Sequence, residues 1–447
     1  MDDYTQWINE WGSWDPYVPI MSEIDEDIDE ILMVYGLIFG DNRRQRKIKF
    51  RHTRVDWEYH VKMLEYTHEF EQRFRMSRQM FDDLVEELRV PLTVSYAQSM
   101  KSTSGNEPIY PEVIVAIGLR ILGPSDTIPS CADNYGISVA STKRVFDLFL
   151  NAIDYNETCR AMMIKLPRGE DELRDLAQRW LDVSTCPQQL FWGHIGAIDG
   201  WFPRTEMPKG VSNQADYFSG HYQAYGLNIQ AMCDPDLLFM YVAVAGPGKI
   251  NDVRAFSRCT GLIDWFETLP AWCFVSADNA YPLTLKMLVP HNATELRSEY
   301  HRAYNFYLSQ LRIRIEMAFG RLTTKWRRLR TTLNFASAKN GKIIRVCTKL
   351  HNYVIRKSKE AGSDYGTVGV FHDDNVHPQC YGIEPLQGDG PNGNSDFGFL
   401  ATQADTDEQI LFSTTDVDSS RRDSMVADIE SSSIRRPVYN VDRNEYN

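Results

Sequence analysis

The sequence predicts an α/β protein in which a mixed sheet with flanking helices follows a helical N-terminal region. Apolar, strand-like runs recur after residue 190: HIGAID at 194–199, LLFMYVAVA at 237–245 and CFVSAD at 273–278. Helical patterns alternate with them, in VRAFSRCTGLIDWF and in a long stripe of apolar residues from Tyr304 to Leu329. The order strand, strand, strand, helix, strand, helix is that of a ribonuclease H-like core.

Two of the strands carry different patterns, which predict different positions in the sheet. In YQAYGLNIQAMCD the apolar residues alternate with Gly226, Asn228 and Gln230, as in a strand with one covered face. The run 237–245 is continuously apolar, which is typical of a central strand with both faces buried. We therefore expect the second of these strands to lie inside the sheet.

The helical region before the sheet, residues 61–185, contains a segment with the pattern of a helix-turn-helix. In residues 127–153 Gly136 would form the turn, and Ser138 would cap the second helix. Lys143 and Arg144 would then face a DNA groove. An ordinary helical hairpin gives the same pattern with so few basic residues, and that alternative stays open.

The net charge of −13 is distributed unevenly along the chain. Residues 1–40 carry ten acids and no Lys or Arg, and residues 361–447 carry sixteen acids and five bases. Residues 301–360 hold fifteen Lys or Arg against two Glu. A basic body between acidic ends suits a protein that binds a polyanion such as DNA.

Both ends of the chain look like extensions of the folded part. Residues 1–60 are acidic and then basic, with seven bases between Arg43 and Arg54 that suit either a nuclear-import or nucleic-acid patch or a solvated loop. Residues 361–447, rich in Gly, Asp, Asn and Ser, predict an acidic disordered tail. The apolar run ILMVYGLIFG has only ten residues, so no membrane partner is expected.

Three acids occupy positions that suit a shared metal site. Asp199 closes the strand HIGAID, Asp278 closes CFVSAD, and Glu316 lies on the long helix. Carboxylate oxygens are the ligands that Mg²⁺ prefers. Each acid alone has an ordinary explanation, because a strand-end Asp often caps a turn and Glu316 could pair with Arg312 or Arg321. Asp252 stands where a helix N-cap is expected, and we interpret it as a cap.

The basic run after Glu316 is the best candidate for binding DNA phosphates. It comprises Arg321, Lys325, Arg327, Arg328 and Arg330, with few acids between them. His221, with its neighbour Tyr222 and with Trp201, is a weaker candidate for the same channel. A solvated helix face is the alternative for the basic run.

The motifs, taken together and in order, resemble one family. IDGWFPR, YFSGHYQAYGLNIQAMCD, AGPGKIND, SADNAYP, RIRIEMAFGRLTTKWRRL and CTKLHNYVI are similar to the DDE transposases of the PIF/Harbinger class, over residues 110–357. The 37 residues between Asp278 and Glu316 also resemble that family's spacing. The resemblance implies a ribonuclease H-like DDE nuclease domain at residues 190–357.

The same resemblance implies a function. Asp199, Asp278 and Glu316 would bind two divalent metal ions, Mg²⁺ or Mn²⁺, and the protein would cleave double-stranded DNA at transposon ends and transfer the 3′ ends to target DNA. It also implies a nuclear protein, a Myb-like DNA-binding partner protein and compatibility with a homodimer. The alternative is a domesticated, catalytically silent DNA-binding or chromatin-associated protein; an RNA-directed nuclease fits less well, because no RNA-binding module is recognisable.

Overall fold

The computed structural model describes residues 53–97, 107–362 and 418–436. Most of the predicted N-terminal extension, residues 1–60, lies outside these ranges. Within them, no helix is long and apolar enough to cross a lipid bilayer. The seven cysteines that the structure describes are all free thiols.

Seven helices precede the sheet in the described part of the chain. Gly136 ends α5 in the left-handed conformation, with φ +60°, and the Ser138 hydroxyl accepts the first N–H bond of α6 from Ser141. Residues 127–153 thus form two helices joined by a turn, as both a helix-turn-helix and an ordinary helical hairpin predict. The helices are α1 Trp57–Tyr66, α2 Phe70–Phe74, α3 Arg78–Leu92, α4 Pro111–Leu122, α5 Ile128–Tyr135, α6 Val139–Asp154 and α7 Glu170–Val183.

The main sheet has five strands in the order β5-β4-β1-β6-β7. The pairs β5-β4 and β4-β1 are antiparallel, whereas β1-β6 and β6-β7 are parallel. This order confirms the predicted ribonuclease H-like α/β fold. The strands are β1 His194–Trp201, β4 Leu227–Cys233, β5 Phe239–Pro247, β6 Phe274–Ser276 and β7 Met287–Leu288, and a separate small hairpin is formed by β2 Phe218–Ser219 and β3 Ala224–Tyr225.

The burial of β4 and β5 is the reverse of the prediction. Every residue of β4 is buried, and the middle of β5, at the edge of the sheet, is half-exposed. The alternation of apolar and polar residues in β4 predicted one exposed face, but its polar residues do not face water. Asn228 and Gln230 are buried and form hydrogen bonds with Asp252. The polar face of this strand therefore lines a site rather than the protein surface.

Helices cover the sheet and connect it to the helical region. The helix α7 packs on β1, where the buried Trp180 ring lies edge-on to His194 at 4.2 Å. The helix α11, Ser337–Glu360, contacts both α6 and β5, so one apolar cluster runs through both regions. The later helices are α8 Asp252–Ser257, α9 Thr260–Thr268, α10 Glu299–Lys325 and α11 Ser337–Glu360. The helix α10 ends four residues before Leu329, because Trp326 leaves the helical conformation.

A twelfth helix, α12 at Ser420–Ser431, packs against α10. Its Arg421 guanidinium donates to the carbonyls of Ala271, Cys273 and Leu285, and Ile429 is fully buried. The prediction of a disordered tail over 361–447 is therefore wrong for residues 418–436. The helix was not predicted because the surrounding residues are mostly acidic and polar, which is typical of disorder. Its few apolar residues are nevertheless spaced to form one face of a helix.

Candidate active site

The topology of the sheet brings two of the three predicted acids to the same edge. Asp199 lies near the end of β1, and Asp278 follows β6 by two residues. Because β1 and β6 are parallel neighbours, their carboxyl ends meet at one edge, where open α/β sheets commonly bind ligands. The helix α10 packs across β1 and carries Glu316 to the same place.

Arg312 connects two of these acids. Its Nη1 lies 2.5 Å from Oε1 of Glu316, one helical turn away, and 3.5 Å from Oδ2 of Asp199. The three side chains are 15–21% exposed, so the contacts are only partly screened by water. The ion pair between Glu316 and Arg312, considered as an ordinary explanation for Glu316, is thus present and joins the helix to β1.

Burial and the charges of neighbouring acids raise the pKa values of Asp199 and Asp278. Burial raises the pKa of Asp199 to about 7, and the charges of Asp278 and Glu316 add to this effect. Arg312 and the Gly200 amide, which donates to Asp199 Oδ1 at 2.8 Å, act in the opposite direction. Burial and the charges of Asp252 and Glu316 also raise the pKa of Asp278. The site therefore holds more negative charge than Arg312 compensates.

Asp252 is a fourth acid at this site, and the expectation that it caps a helix is wrong. The cap of α8 is Asn251, whose side chain accepts from the Arg254 amide. Asp252 instead accepts from Asn228 at 3.1 Å and from Gln230 at 3.3 Å. A Cβ on Gly200 would lie 2.3 Å from Asp252 Oδ1, so the acid lies against the residue that follows Asp199. The sequence did contain a signal for this arrangement: Asn251 and Asp252 are adjacent, and only one of them can be the N-cap of α8.

The donor chemistry of the site fits a hard divalent cation. Its side chains are carboxylates with oxygen donors, and burial, with the charges of Asp278 and Glu316, raises the pKa of Asp199, so a cation there would favour the ionised carboxylate. In the described residues, no three His, Cys, Asp or Glu side chains converge closely enough to hold one metal ion. Arg312 supplies the positive charge between Asp199 and Glu316 instead.

The predicted phosphate-binding bases occupy different depths in the structure. Arg321 and Arg330 are exposed, whereas Arg327 and Arg328 are half-buried. Lys325 is only 1% exposed, and burial, with the charge of Arg75, lowers its pKa to about 7. It therefore does not lie on the surface where the sequence placed it. The sequence signal for this burial was the position of Lys325, which follows the buried Leu322 by one helical turn and so lies beside the apolar stripe of α10.

The other predicted DNA-binding residues lie on the surface. Lys143 and Arg144 are exposed on the first turns of α6, whose Phe146 and Phe149 are fully buried. His221 is exposed in the turn between β2 and β3. Two further bases near α6 were not predicted. Lys339 lies 5.1 Å from the centre of the Phe146 ring, and Lys342 donates to Asn151 at 2.6 Å.

Comparisons with known proteins support this description. A family model described as a DDE superfamily endonuclease matches residues 198–352, which contain Asp199, Asp278 and Glu316. A protein of Arabidopsis thaliana named Protein ALP1-like is 22% identical over 303 residues, covering 64% of this chain and 70% of the relative. No solved structure matches. Residues 198–352, which include the three acids, are thus similar to DDE superfamily endonucleases.

Proposed function

We propose, from the similarity of residues 198–352 to the DDE superfamily endonucleases, that this chain binds double-stranded DNA and cleaves its phosphodiester bonds. The observation that carries the proposal is the meeting of Asp199 and Asp278 at the ends of two parallel strands, with Glu316 facing them from α10. These three acids, with Asp252 beside them, would supply carboxylate ligands to Mg²⁺ or Mn²⁺ after a rearrangement that brings them closer together than they lie in this structure. Such ions activate water or a 3′-hydroxyl and stabilise the leaving oxygen.

The chain's own groups prepare the site for an anionic substrate. Arg312 offsets the charge of Asp199 and Glu316 before any other cation arrives. Asn228 and Gln230 orient Asp252, and Gln230 is in turn held by the Tyr281 hydroxyl at 2.6 Å. The exposed bases, including Arg321 and Arg330 beyond the end of the site, would bind the DNA backbone.

The finer function that we propose is cleavage at transposon ends and transfer of the 3′ ends to target DNA in the nucleus. The similarity to DDE superfamily endonucleases, with the resemblance of the sequence motifs to Harbinger transposases, supports it. Because Lys143 and Arg144 are the only strongly basic residues on the exposed start of α6, this chain alone would discriminate weakly between DNA sequences. A Myb-like partner protein would then supply site recognition, and two copies would bring two DNA ends together.

A second candidate is a catalytically silent DNA-binding or chromatin-associated protein. The contacts of Arg312 favour it, since a guanidinium that stays between Asp199 and Glu316 takes the place of a metal ion. The two functions differ in one measurable property, cleavage that depends on a divalent cation.

The test is cleavage of a supercoiled plasmid that carries the DNA flanking this protein's own coding sequence, with Mg²⁺ or Mn²⁺. We expect the wild-type protein to cleave the plasmid and Asp278→Asn to be inactive, because the substitution removes an anionic metal ligand. The Asn side chain can still accept the hydrogen bond that the Ala280 backbone N–H donates to Asp278 at 2.8 Å, so the local fold should be kept. Asp264→Asn, an exposed acid on α9, is the matched control and should cleave normally. Equal cleavage by wild type and Asp278→Asn would refute the proposed site, and DNA binding without any cleavage would favour the silent protein.

A further inference from the structure

The residues that follow Asp199 build a support for an aromatic side chain beside the acids. Phe202 comes three residues after Asp199, just beyond the end of β1. Its ring fills a slot between two glycines: a Cβ on Gly226 would lie 2.4 Å from the ring, and a Cβ on Gly248 would lie 2.5 Å from it. No residue other than glycine fits at either position without moving Phe202. The slot therefore fixes this ring next to the candidate active site.

Tyr222 stacks on the ring that this slot holds. The centres of the Tyr222 and Phe202 rings are 4.4 Å apart and their planes differ by 16°. His221 packs edge-on against Tyr222 at 4.6 Å. One face of Tyr222 thus rests on a fixed support, and 44% of the residue remains exposed. An exposed aromatic ring alone is ordinary, but this one packs against the rings of both Phe202 and His221.

The turn that carries Tyr222 is itself anchored. The strands β2 and β3 pair through Phe218 with Tyr225 and through Ser219 with Ala224. The Gly226 amide donates to the Tyr217 carbonyl at 2.9 Å, which ties the base of the hairpin to β4. The hairpin thereby holds the Tyr222 ring at a set position relative to β1.

The Tyr222 ring lies near the acids, because Phe202, on which it stacks, follows Asp199 by three residues. Burial raises the pKa of the Tyr222 phenol, and the charges of Asp252, Asp199 and Asp278 raise it further. The exposed ring therefore lies beside the group that, under the proposed function, would act on a phosphodiester. Within one nucleotide of that phosphate, the only flat apolar surface that DNA offers is a nucleobase, and a base is available for stacking once it leaves its pair.

We propose that Tyr222 is a positioning residue that stacks an unpaired nucleobase next to the phosphodiester bond to be cleaved. This inference rests on the proposed function and adds that the substrate at the site is locally unpaired DNA. The hydroxyl is not required, because the stacking face belongs to the ring. Tyr222→Phe should therefore behave like the wild-type protein, whereas Tyr222→Leu should cover Phe202 with an apolar side chain that stacks poorly.

The experiment compares two DNA probes without relying on cleavage. One is a blunt duplex and the other is the same duplex with a splayed end, in which one unpaired base is the fluorescent analogue 2-aminopurine. Binding is measured in EDTA, so that the DNA stays intact. We expect the wild-type protein and Tyr222→Phe to prefer the splayed probe by roughly 5- to 100-fold and to quench the fluorescence of the analogue, as stacking on an aromatic side chain does. Tyr222→Leu should lose both effects.

Two controls separate stacking from a general loss of structure. Tyr66→Leu changes an exposed tyrosine at the end of α1 and should keep the preference. Replacing the 2-aminopurine by an abasic nucleotide should abolish the difference between the wild-type protein and Tyr222→Leu.

The possible results distinguish this inference from the proposed function. If the wild-type protein cleaves DNA but Tyr222→Leu keeps the full preference and quenching, the stacking role is wrong while the nuclease function stands. If the preference depends on Tyr222 but no cation supports cleavage, the stacking role stands and the nuclease function fails. If the wild-type protein binds neither probe, both are wrong.

Discussion

Replacing Arg312 by Leu should destabilise the protein in a way that depends on pH and is relieved by divalent cations. The guanidinium lies 2.5 Å from Glu316 and 3.5 Å from Asp199, and these side chains are largely shielded from water. Removing one partner from such a buried arrangement typically costs about 3–5 kcal/mol, since the remaining charges lose their compensation. We expect a loss of this size in the free energy of unfolding at about pH 8.

The dependence on pH follows from Asp199. Its pKa in the folded protein is raised to about 7, whereas in the unfolded chain it has its ordinary value near 3.8. Ionising this carboxyl therefore disfavours folding progressively as the pH rises from about 4 to 7, and the effect is complete above that range. At about pH 5 Asp199 is protonated in the folded variant, so mainly the contact with Glu316 is lost and the expected cost falls to about 1.5–3 kcal/mol.

Urea unfolding at both pH values, in EDTA and with Ca²⁺, would measure these effects. A cation that binds only the folded protein at 100 times its dissociation constant adds about 2.7 kcal/mol, and this gain should be larger for Arg312→Leu than for the wild-type protein. The control is Arg314→Leu on the same helix, whose Nη1 donates to the Pro235 carbonyl at 2.7 Å, and its loss should not respond to Ca²⁺. An equal loss at both pH values, with no extra gain from Ca²⁺, would refute the reasoning.

Three further outcomes are expected. Changing Arg321 and Arg330 together to Gln should reduce the slope of log DNA affinity against log salt concentration by about two units, because both side chains are exposed. Lys325→Met should leave this slope unchanged, because Lys325 is buried. DNA titrations at several salt concentrations would measure both slopes. The pKa of Lys325 falls to about 7 on folding, so the unfolded chain binds a proton more readily and the folded wild-type protein loses stability as the pH drops from about 10 to 7. Lys325→Met removes this loss and should therefore stabilise the protein by a few kcal/mol at about pH 6 and by less at pH 10. A variant that is less stable than the wild-type protein at pH 6 would contradict this. Deleting residues 418–447 should lower the free energy of unfolding by several kcal/mol through the loss of buried apolar surface, but deleting only 437–447 should change it little.

The sequence predicted those features that depend on local patterns. Asp199 and Asp278 were recognised because each ends a short apolar run, and such runs form strands whose ends share an edge in a parallel pair. Glu316 was recognised because the apolar stripe of α10 defines which residues lie at its margin. The period of the strands and helices indicated where these acids lie, and the resemblance to the DDE family supplied their proposed role as a metal-binding set.

The features that were missed depend on contacts between distant segments. Asn228 and Gln230 look like surface residues until Asp252, more than twenty residues later, lies against them. The slot for Phe202 requires two glycines on different segments, and their spacing in the sequence carries no signal. Lys325 was predicted to lie on the surface from its charge, although its position beside the buried stripe and its burial, together with the charge of Arg75, lower its pKa.

The late position of α12 in the chain also affects how the protein is made. The surface of α10 that it covers is synthesised about 95 residues earlier, since α10 ends at Lys325 and α12 begins at Ser420. At translation rates of roughly 5–20 residues per second, the apolar partners of Ile429 remain uncovered for about 5–20 s on each ribosome. During that interval the nascent chain offers a binding surface to chaperones, and completion of the fold has to wait until the C-terminal helix leaves the exit tunnel.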